Sequence, residues 1–303
     1  MNTPSTYAII DRYFLVQFGI GISANSFLFL FHIVTLHQDP RSKPMKLITC
    51  HLALVHEVML LTAVPLSFMD LNFWDALKCK ALFYTNRVMR DLSICVTCLL
   101  SVIQAVTISP STSYLVRCKH QLTNYIICIL TFFWCFNLSF SSNIIFLIVT
   151  SSNMTQNNLR ITKHCSLSPM NSIIGRLYST LTTFRDVFLV GVMLLSSVYM
   201  VTLLSRHQRR SQHLHSTSLH QTTSPEKRAT QTILLLVSAF VVTYCMNHIV
   251  MSISVYVLWT YNQVLLSIQK FALNAYATIS PLVLLSSDKR IVNILKNIQR
   301  KCC

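Results

Sequence analysis

Apolar residues gather into seven runs of about 20 residues or more, the length needed to cross roughly 30 Å of hydrocarbon. The runs cover residues 13–36, 46–69, 81–108, 123–149, 182–204, 229–259 and 264–285. Backbone groups left unpaired in lipid are too costly for spans of this kind to be anything but helices. The pattern therefore predicts an all-α membrane protein, one seven-helix bundle over residues 1–303. The chain starts Met1-Asn2-Thr3-Pro4 without a basic stretch, and the first run is too long for the core of a secretory signal. It reads as the first span. No internal repeat is visible, and an odd number of spans argues against the paired halves common in transporters.

Composition agrees: 52% of residues are hydrophobic and 11% charged, against roughly 25% charged in soluble domains. The net charge of +16, from 25 Lys and Arg against 9 Asp and Glu, would point to a nucleic-acid partner if it lay on a compact surface. It lies instead in loops on one side. Arg41, Lys43, Lys46, Arg117, Lys119, Arg206, Arg209, Arg210, Lys227, Arg228, Lys289, Arg290, Lys296, Arg300 and Lys301 share one face, and only Arg12, Lys78, Lys80, Arg160, Lys163 and Arg176 fall on the other. Basic residues accumulate on the cytoplasmic side. The amino terminus is thus expected outside and the carboxyl terminus inside.

Two loop features agree with that orientation. Asn153-Met154-Thr155 is an N-glycosylation acceptor in an expected outer loop, whereas the similar Asn137-Leu138-Ser139 lies within the fourth span and is expected to stay unmodified. Of the 11 cysteines only Cys79 and Cys165 fall in outer loops, which leaves one plausible disulfide in an oxidising compartment. It would tether the outer end of the third span to the loop between spans four and five.

Several catalytic patterns fail on inspection. Four glycines exclude a Walker-type phosphate loop, and Gly19-Ile20-Gly21-Ile22-Ser23-Ala24 sits inside an apolar run with no strand before it. Cys95-Val96-Thr97-Cys98 has no second CxxC and lies on a membrane helix, where small packing residues are expected. His56-Glu57 opens a zinc-protease string, but Leu60 stands where the second His is needed. No metal, cofactor or enzymatic activity is expected, since no nucleophile-and-base or metal constellation lies at either face. Cys302 and Cys303 end the chain beside Arg300 and Lys301, where thioacylation would pin the tail to the inner leaflet.

Ionisable residues inside spans are more informative, because each costs several kcal/mol near the bilayer centre. They are Glu57, Arg87, Arg90, Asp91, Arg185, Asp186 and Lys270. Arg87 and Asp91 share a helix face at i, i+4. At about 1.5 Å per residue, Arg87 and Arg90 lie roughly 10–15 Å deep, with Glu57 deeper and Arg185 and Lys270 shallower. Two compatible uses follow. One is an ion-pair network tying spans two, three, five and seven, with Glu57, Arg90, Asp91 and Asp186 as members. The other is the polar wall of a ligand cavity opening outward, with Tyr84, Arg87, Arg185, Lys270 and Asn274 as ligand-side candidates. The seven charges sum to +1, which favours an anionic ligand.

On the inner side, Ser224-Pro225-Glu226 supplies an N-cap, a Pro at the first helical position and an acid in the first turn of the sixth helix. Lys227 and Arg228 then stand opposite Arg206, Arg209 and Arg210 at the end of the fifth. Headgroup anchoring would explain them. So would a cytoplasmic protein docking between the two helix ends.

Particular strings carry a resemblance. Leu99-Leu100-Ser101-Val102-Ile103-Gln104-Ala105-Val106-Thr107-Ile108-Ser109-Pro110, Phe184-Arg185-Asp186-Val187, Ser205-Arg206-His207, the string Ser224-Pro225-Glu226-Lys227-Arg228-Ala229-Thr230-Gln231 with the apolar run after it, and Tyr276-Ala277-Thr278-Ile279-Ser280-Pro281-Leu282 closely resemble vomeronasal type 1 receptors. Cys79, Cys165 and Asn153 also occupy the places of that family's outer disulfide and glycan. The resemblance implies a G-protein-coupled pheromone receptor in the membrane of vomeronasal sensory neurons, binding a small molecule and acting through an inhibitory-class heterotrimeric G protein. Thr107-Ile108-Ser109-Pro110 stands where rhodopsin-like receptors carry Asp-Arg-Tyr, and the Asn-Pro-x-x-Tyr signature is absent. The rhodopsin-like switch therefore does not transfer residue by residue.

A bitter-taste-type receptor shares the bundle and lacks the same signatures, and a transporter or channel using the buried charges is a third reading. The cysteine placement yields a direct test. Cys79→Ser and Cys165→Ser are each expected to abolish surface delivery or ligand response, measured by surface labelling of intact cells, and wild-type behaviour of either variant refutes the pairing.

Overall fold

The computed structural model describes residues 3–36, 43–68, 76–109, 122–143, 145, 148–150, 165–167, 173–214, 225–257, 263–288 and 291. Among them are seven helices: α1 (Thr3–Leu36), α2 (Lys43–Phe68), α3 (Ala76–Ile108), α4 (Leu122–Ser141), α5 (Ile173–Leu214), α6 (Pro225–Val257) and α7 (Gln263–Ser287). Six of them, α1 to α6, are long and apolar enough to cross a membrane. A short antiparallel ladder of β1 (Ile148–Thr150) and β2 (Cys165–Leu167) pairs Thr150 with Cys165 in the connection between α4 and α5.

Neighbouring helices close a ring in the order α1, α2, α3, α5, α6, α7 and back to α1, with α4 outside against α2 and α3. Helix α3 is the axis: 78% of its apolar stretch is buried, against 17% for α4 and α5. The surface is inverted relative to a soluble protein, as lipid requires. Phe132, Phe184, Phe188 and Leu195 point outward, while Asn25, His56, Thr97, Ser101, Asn137 and Ser280 are buried.

Helix ends depart from the apolar runs because hydropathy marks where a helix crosses lipid, and helices continue into water. Helix α5 begins at Ile173 rather than 182 and runs to Leu214. Helix α4 does the opposite, stopping at Ser141 although the apolar run continues to Val149. There the Ser142 N–H turns back to the Ser139 carbonyl at 3.3 Å, and Tyr84 Oη donates to the Leu138 carbonyl at 2.8 Å, meeting one of the acceptors a helix end leaves open. The β-branched sequence Ile148-Val149-Thr150 then enters the ladder.

Helices α1 and α7 join around a proline. Pro281 lies inside α7 and has no N–H, so the Ala277 carbonyl four residues earlier loses its helical donor. Asn25 Nδ2 supplies one from α1 at 3.0 Å, while also donating to the Gly21 carbonyl at 2.7 Å. Gly21 makes the approach possible, since a Cβ there would stand 2.7 Å from Leu60 Cδ1 and 3.0 Å from Thr278 Oγ1. Gly21→Val is therefore expected to destabilise the bundle by about 1–3 kcal/mol through overpacking. Gly19→Val, with nothing within 4 Å of its added Cβ, is expected to be neutral. Thermal melting of the two purified variants checks both.

Candidate functional site

The centre of the site is a carboxylate. Asp91 lies eleven residues into the apolar stretch Lys80–Ile108 of α3, about 16 Å along its axis, and is buried. An ionised carboxylate there is tolerated only with partners. Arg185 Nη2 of α5 lies 2.9 Å away, and Arg87 Nε of α3 lies 3.4 Å away. Ser141, at the end of α4, donates its hydroxyl at 3.2 Å.

Arg185 is held on every side. Its Nε and Nη2 both donate to Asp186 Oδ1 at 2.9 and 2.7 Å, its Nη1 reaches Asn137 Oδ1 of α4 at 3.4 Å, and its guanidinium sits 5.2 Å over the Phe140 ring. Asp186 in turn accepts from the Tyr244 hydroxyl of α6 at 3.4 Å. Arg87 lies 6.0 Å from the Tyr178 ring centre, and Tyr178 stacks on Phe140. Cation and ring faces of this kind attract through the ring quadrupole. The cluster thus binds α3, α4, α5 and α6 together.

Several expectations need correction. Glu57 does not join this cluster: adjacent residues on a helix point about 100° apart, and with His56 facing the core, Glu57 turns to α1, accepting from Ser26 Oγ at 2.7 Å. Arg185 is not shallow, because α5 starts nine residues before the expected limit and its apolar stretch begins at Leu177. Arg90 is not in an ion pair among the described residues. It donates to Asn86 Oδ1 at 3.0 Å, and Asn86 is fixed by donating to Thr62 Oγ1 and the Met59 carbonyl of α2, each at 3.0 Å.

Of the ligand-side candidates, Tyr84 spends its hydroxyl on α4, and Arg185 is enclosed by carboxylates. Arg87 is half-buried. On α7, Asn274 donates to the Lys270 carbonyl at 2.8 Å, while its buried Oδ1 has no hydrogen-bond partner among the described residues. Every α3 residue from Asp91 to Ser101 is buried, whereas Tyr84, Arg87 and Arg90 nearer the ladder end are only half-buried. Helix α3 is thus fully buried from Asp91 to Ser101 and only partly buried above it.

At the other end, Arg206 is exposed, and Arg228 donates to the Ser286 carbonyl at the close of α7 at 3.4 Å. Arg209 and Arg210 lie on α5 and Lys227 on α6, with side chains outside the described set. Cys79 sits in the first turn of α3 and Cys165 opens β2, again without described side chains. Asn153, Cys302 and Cys303 lie outside the described residues. Asn137, expected to stay unmodified, is buried and bonded to the Phe133 carbonyl.

Sequence reasoning missed a second polar node. His56, considered only as a failed zinc ligand, is buried with Nε2 2.7 Å from Ser93 Oγ and Nδ1 2.9 Å from Ser280 Oγ. Its ring meets Tyr276 edge-on, and the Tyr276 and Thr97 hydroxyls lie 2.9 Å apart. The node joins α2, α3 and α7. Further along α3, Ser101 pairs with Ser196 at 2.6 Å and Ser109 with Tyr199 at 3.0 Å, both on α5. A histidine inside an apolar run was the available signal, and its two serine partners are 37 and 224 residues away in the chain.

Seven helices around a buried charged centre define a multi-pass membrane protein of the receptor-bundle class. The vomeronasal organ pheromone receptor family matches residues 8–297. Among curated proteins, the chain is 41% identical to vomeronasal type-1 receptor 90 of Rattus norvegicus, covering 96% of each chain. It is 40% identical to vomeronasal type-1 receptors 45 and A11 of Mus musculus, covering 96% of this chain and 92% of each relative. The chain belongs to the vomeronasal type 1 family of G-protein-coupled pheromone receptors.

The central ion pair gives a test of the geometry. Asp91→Asn and Arg185→Gln, each stranding the other's charge, are expected to cost about 3–5 kcal/mol. The double variant should cost clearly less than the sum of the two. Additive losses in melting of the purified receptor would show that the two side chains do not act as a pair.

Proposed function

We propose that this receptor takes a small organic molecule, anionic or steroid-like, from the extracellular side and signals through an inhibitory-class heterotrimeric G protein in vomeronasal sensory neurons. The ladder end of the bundle faces outward in this reading, with the Cys79–Cys165 disulfide and the Asn153 glycan on that side. Basic loops mark the opposite face as cytoplasmic. All seven helices act as one receptor domain in the bilayer.

The observation that carries the reading is the change in packing along α3: half-buried Tyr84, Arg87 and Arg90 stand above the closed stretch from Asp91 to Ser101. A ligand admitted there meets the charged cluster that links α3 and α5 to α6. It shifts the bundle toward a signalling state only by binding that state more tightly, a factor of 100 being worth about 2.7 kcal/mol. Parting of the inner ends of α5 and α6 then opens a site for the G protein beside Arg206, Arg209, Arg210, Lys227 and Arg228.

Ligand-dependent nucleotide exchange on a co-expressed inhibitory-class Gα is the expected result when cells carrying the receptor are exposed to charged and neutral steroid analogues. Joint Arg206→Ala, Arg209→Ala and Arg210→Ala substitution should weaken exchange while leaving ligand binding intact. Ligand-dependent current without exchange on any Gα would replace this reading with the channel reading.

A further inference from the structure

The cluster holds three guanidinium groups and two carboxylates, and the carboxylates are already engaged. Asp91 takes Arg185 and Arg87, and Asp186 takes Arg185 and the Tyr244 hydroxyl. Arg90 is left over. Among the described residues no carboxylate lies within ion-pair distance of it, its one hydrogen-bond partner is the neutral Asn86 amide, and its Nε is buried without a partner. Asp70 and Asp75 precede α3 in the chain, 20 and 15 residues before Arg90. Arg90 itself lies ten residues into the apolar stretch that begins at Lys80, about 15 Å along the helix.

A guanidinium at that depth, whose neighbouring carboxylates Asp91 and Asp186 are already paired with other cations, is costly, so its retention needs a use. Two features supply one. Asn86, clamped to α2 by Thr62 and the Met59 carbonyl, holds the Arg90 side chain in place through Nη2 and so leaves the rest of the planar fork free for a bidentate partner. Arg90 is also only half-buried, at the level where α3 becomes only partly buried, while the adjoining Val88, Met89 and Asp91 are buried.

We propose that Arg90 is the anion-recognition residue of the ligand site, taking the carboxylate, sulfate or sulfonate group of an organic ligand, with Asn86 as its positioning residue. The proposal rests on the receptor reading above and names the ligand class for that same site. It separates the four span cations by role: Arg185 is structural, Arg87 pairs with Asp91, and Arg90 supplies the guanidinium that has no ion pair among the described residues. Lys270 is outside the argument.

The test uses the purified full chain and a matched pair of probes, 2-naphthalenesulfonate and its neutral isostere 2-naphthalenesulfonamide, with melting temperature as readout and no G protein present. The sulfonate is expected to raise the wild-type midpoint by about 2–4 °C, the sulfonamide by clearly less. Arg90→Met should abolish the difference and leave the unliganded midpoint unchanged or higher, because it removes a charge that has no ion pair among the described residues. Arg90→Lys should retain part of the shift. Equal shifts from the two probes, no shift in the wild type, a shift that survives Arg90→Met, or a drop or failure to fold in Arg90→Met would each overturn the proposal. None of these outcomes bears on G-protein coupling, so the two readings stand or fall separately.

Discussion

Asp91 sets the terms for this bundle. A carboxylate placed about halfway across the hydrocarbon must be met by cations and donors held in fixed positions, and the demand reaches three other helices. Ser141 meets it from the last turn of α4, and Arg185 meets it from α5. Arg185 needs its own second partner, Asp186, which reaches α6 through Tyr244. One buried charge thus ties together the last turn of α4, the rotation of α5 about its axis, and the residue of α6 that faces inward. Apolar contacts in lipid could not specify this, since lipid tails compete with any Leu or Phe on equal terms.

Below Asp91 the packing relies on neutral polar groups. His56 offers one donor and one acceptor, and serines on either side satisfy both ring nitrogens without charge. The α1–α7 joint follows the same logic, because the donor that Pro281 removes is replaced by Asn25. His56 has both ring nitrogens met at the core, and it closes the α2, α3 and α7 seam. Nearer the ladder end, Arg90 Nε and Asn274 Oδ1 are buried without a hydrogen-bond partner among the described residues.

Seven helices among the described residues follow the seven apolar runs, and hydropathy alone marks six of them, α1 to α6, as long and apolar enough to cross a membrane. Their ends were less legible in the sequence: nothing in the apolar run to Val149 signals that α4 stops at Ser141, where Tyr84 donates to the carbonyl of Leu138, 54 residues on in the chain. The buried charges were all visible, yet their partners were not. Arg87 with Asp91 could be read from i, i+4 spacing, but Arg185 with Asp91 spans 94 positions and depends on the rotation of α5. Glu57 and His56 show the limit most clearly. They are neighbours in the chain, and the one that carries a charge faces a serine at the α1 boundary while the neutral one sits at the centre.

The cluster also has a graded strength that bears on signalling. Arg185 lies 2.9 Å from Asp91 and 2.7 Å from Asp186, so α3 and α5 are held by short charged contacts, reinforced toward the other end by Ser101 with Ser196 and Ser109 with Tyr199. The link onward to α6 is a single phenol-to-carboxylate bond of 3.4 Å, weaker by length than the others. A two-state element changes at its weakest joint, and the ligand need supply only the difference between its affinities for the two states. In the signalling reading proposed above, the charges that join α3 to α5 leave the α5–α6 seam as the place for the bundle to yield. It is also the seam whose far end carries the exposed Arg206.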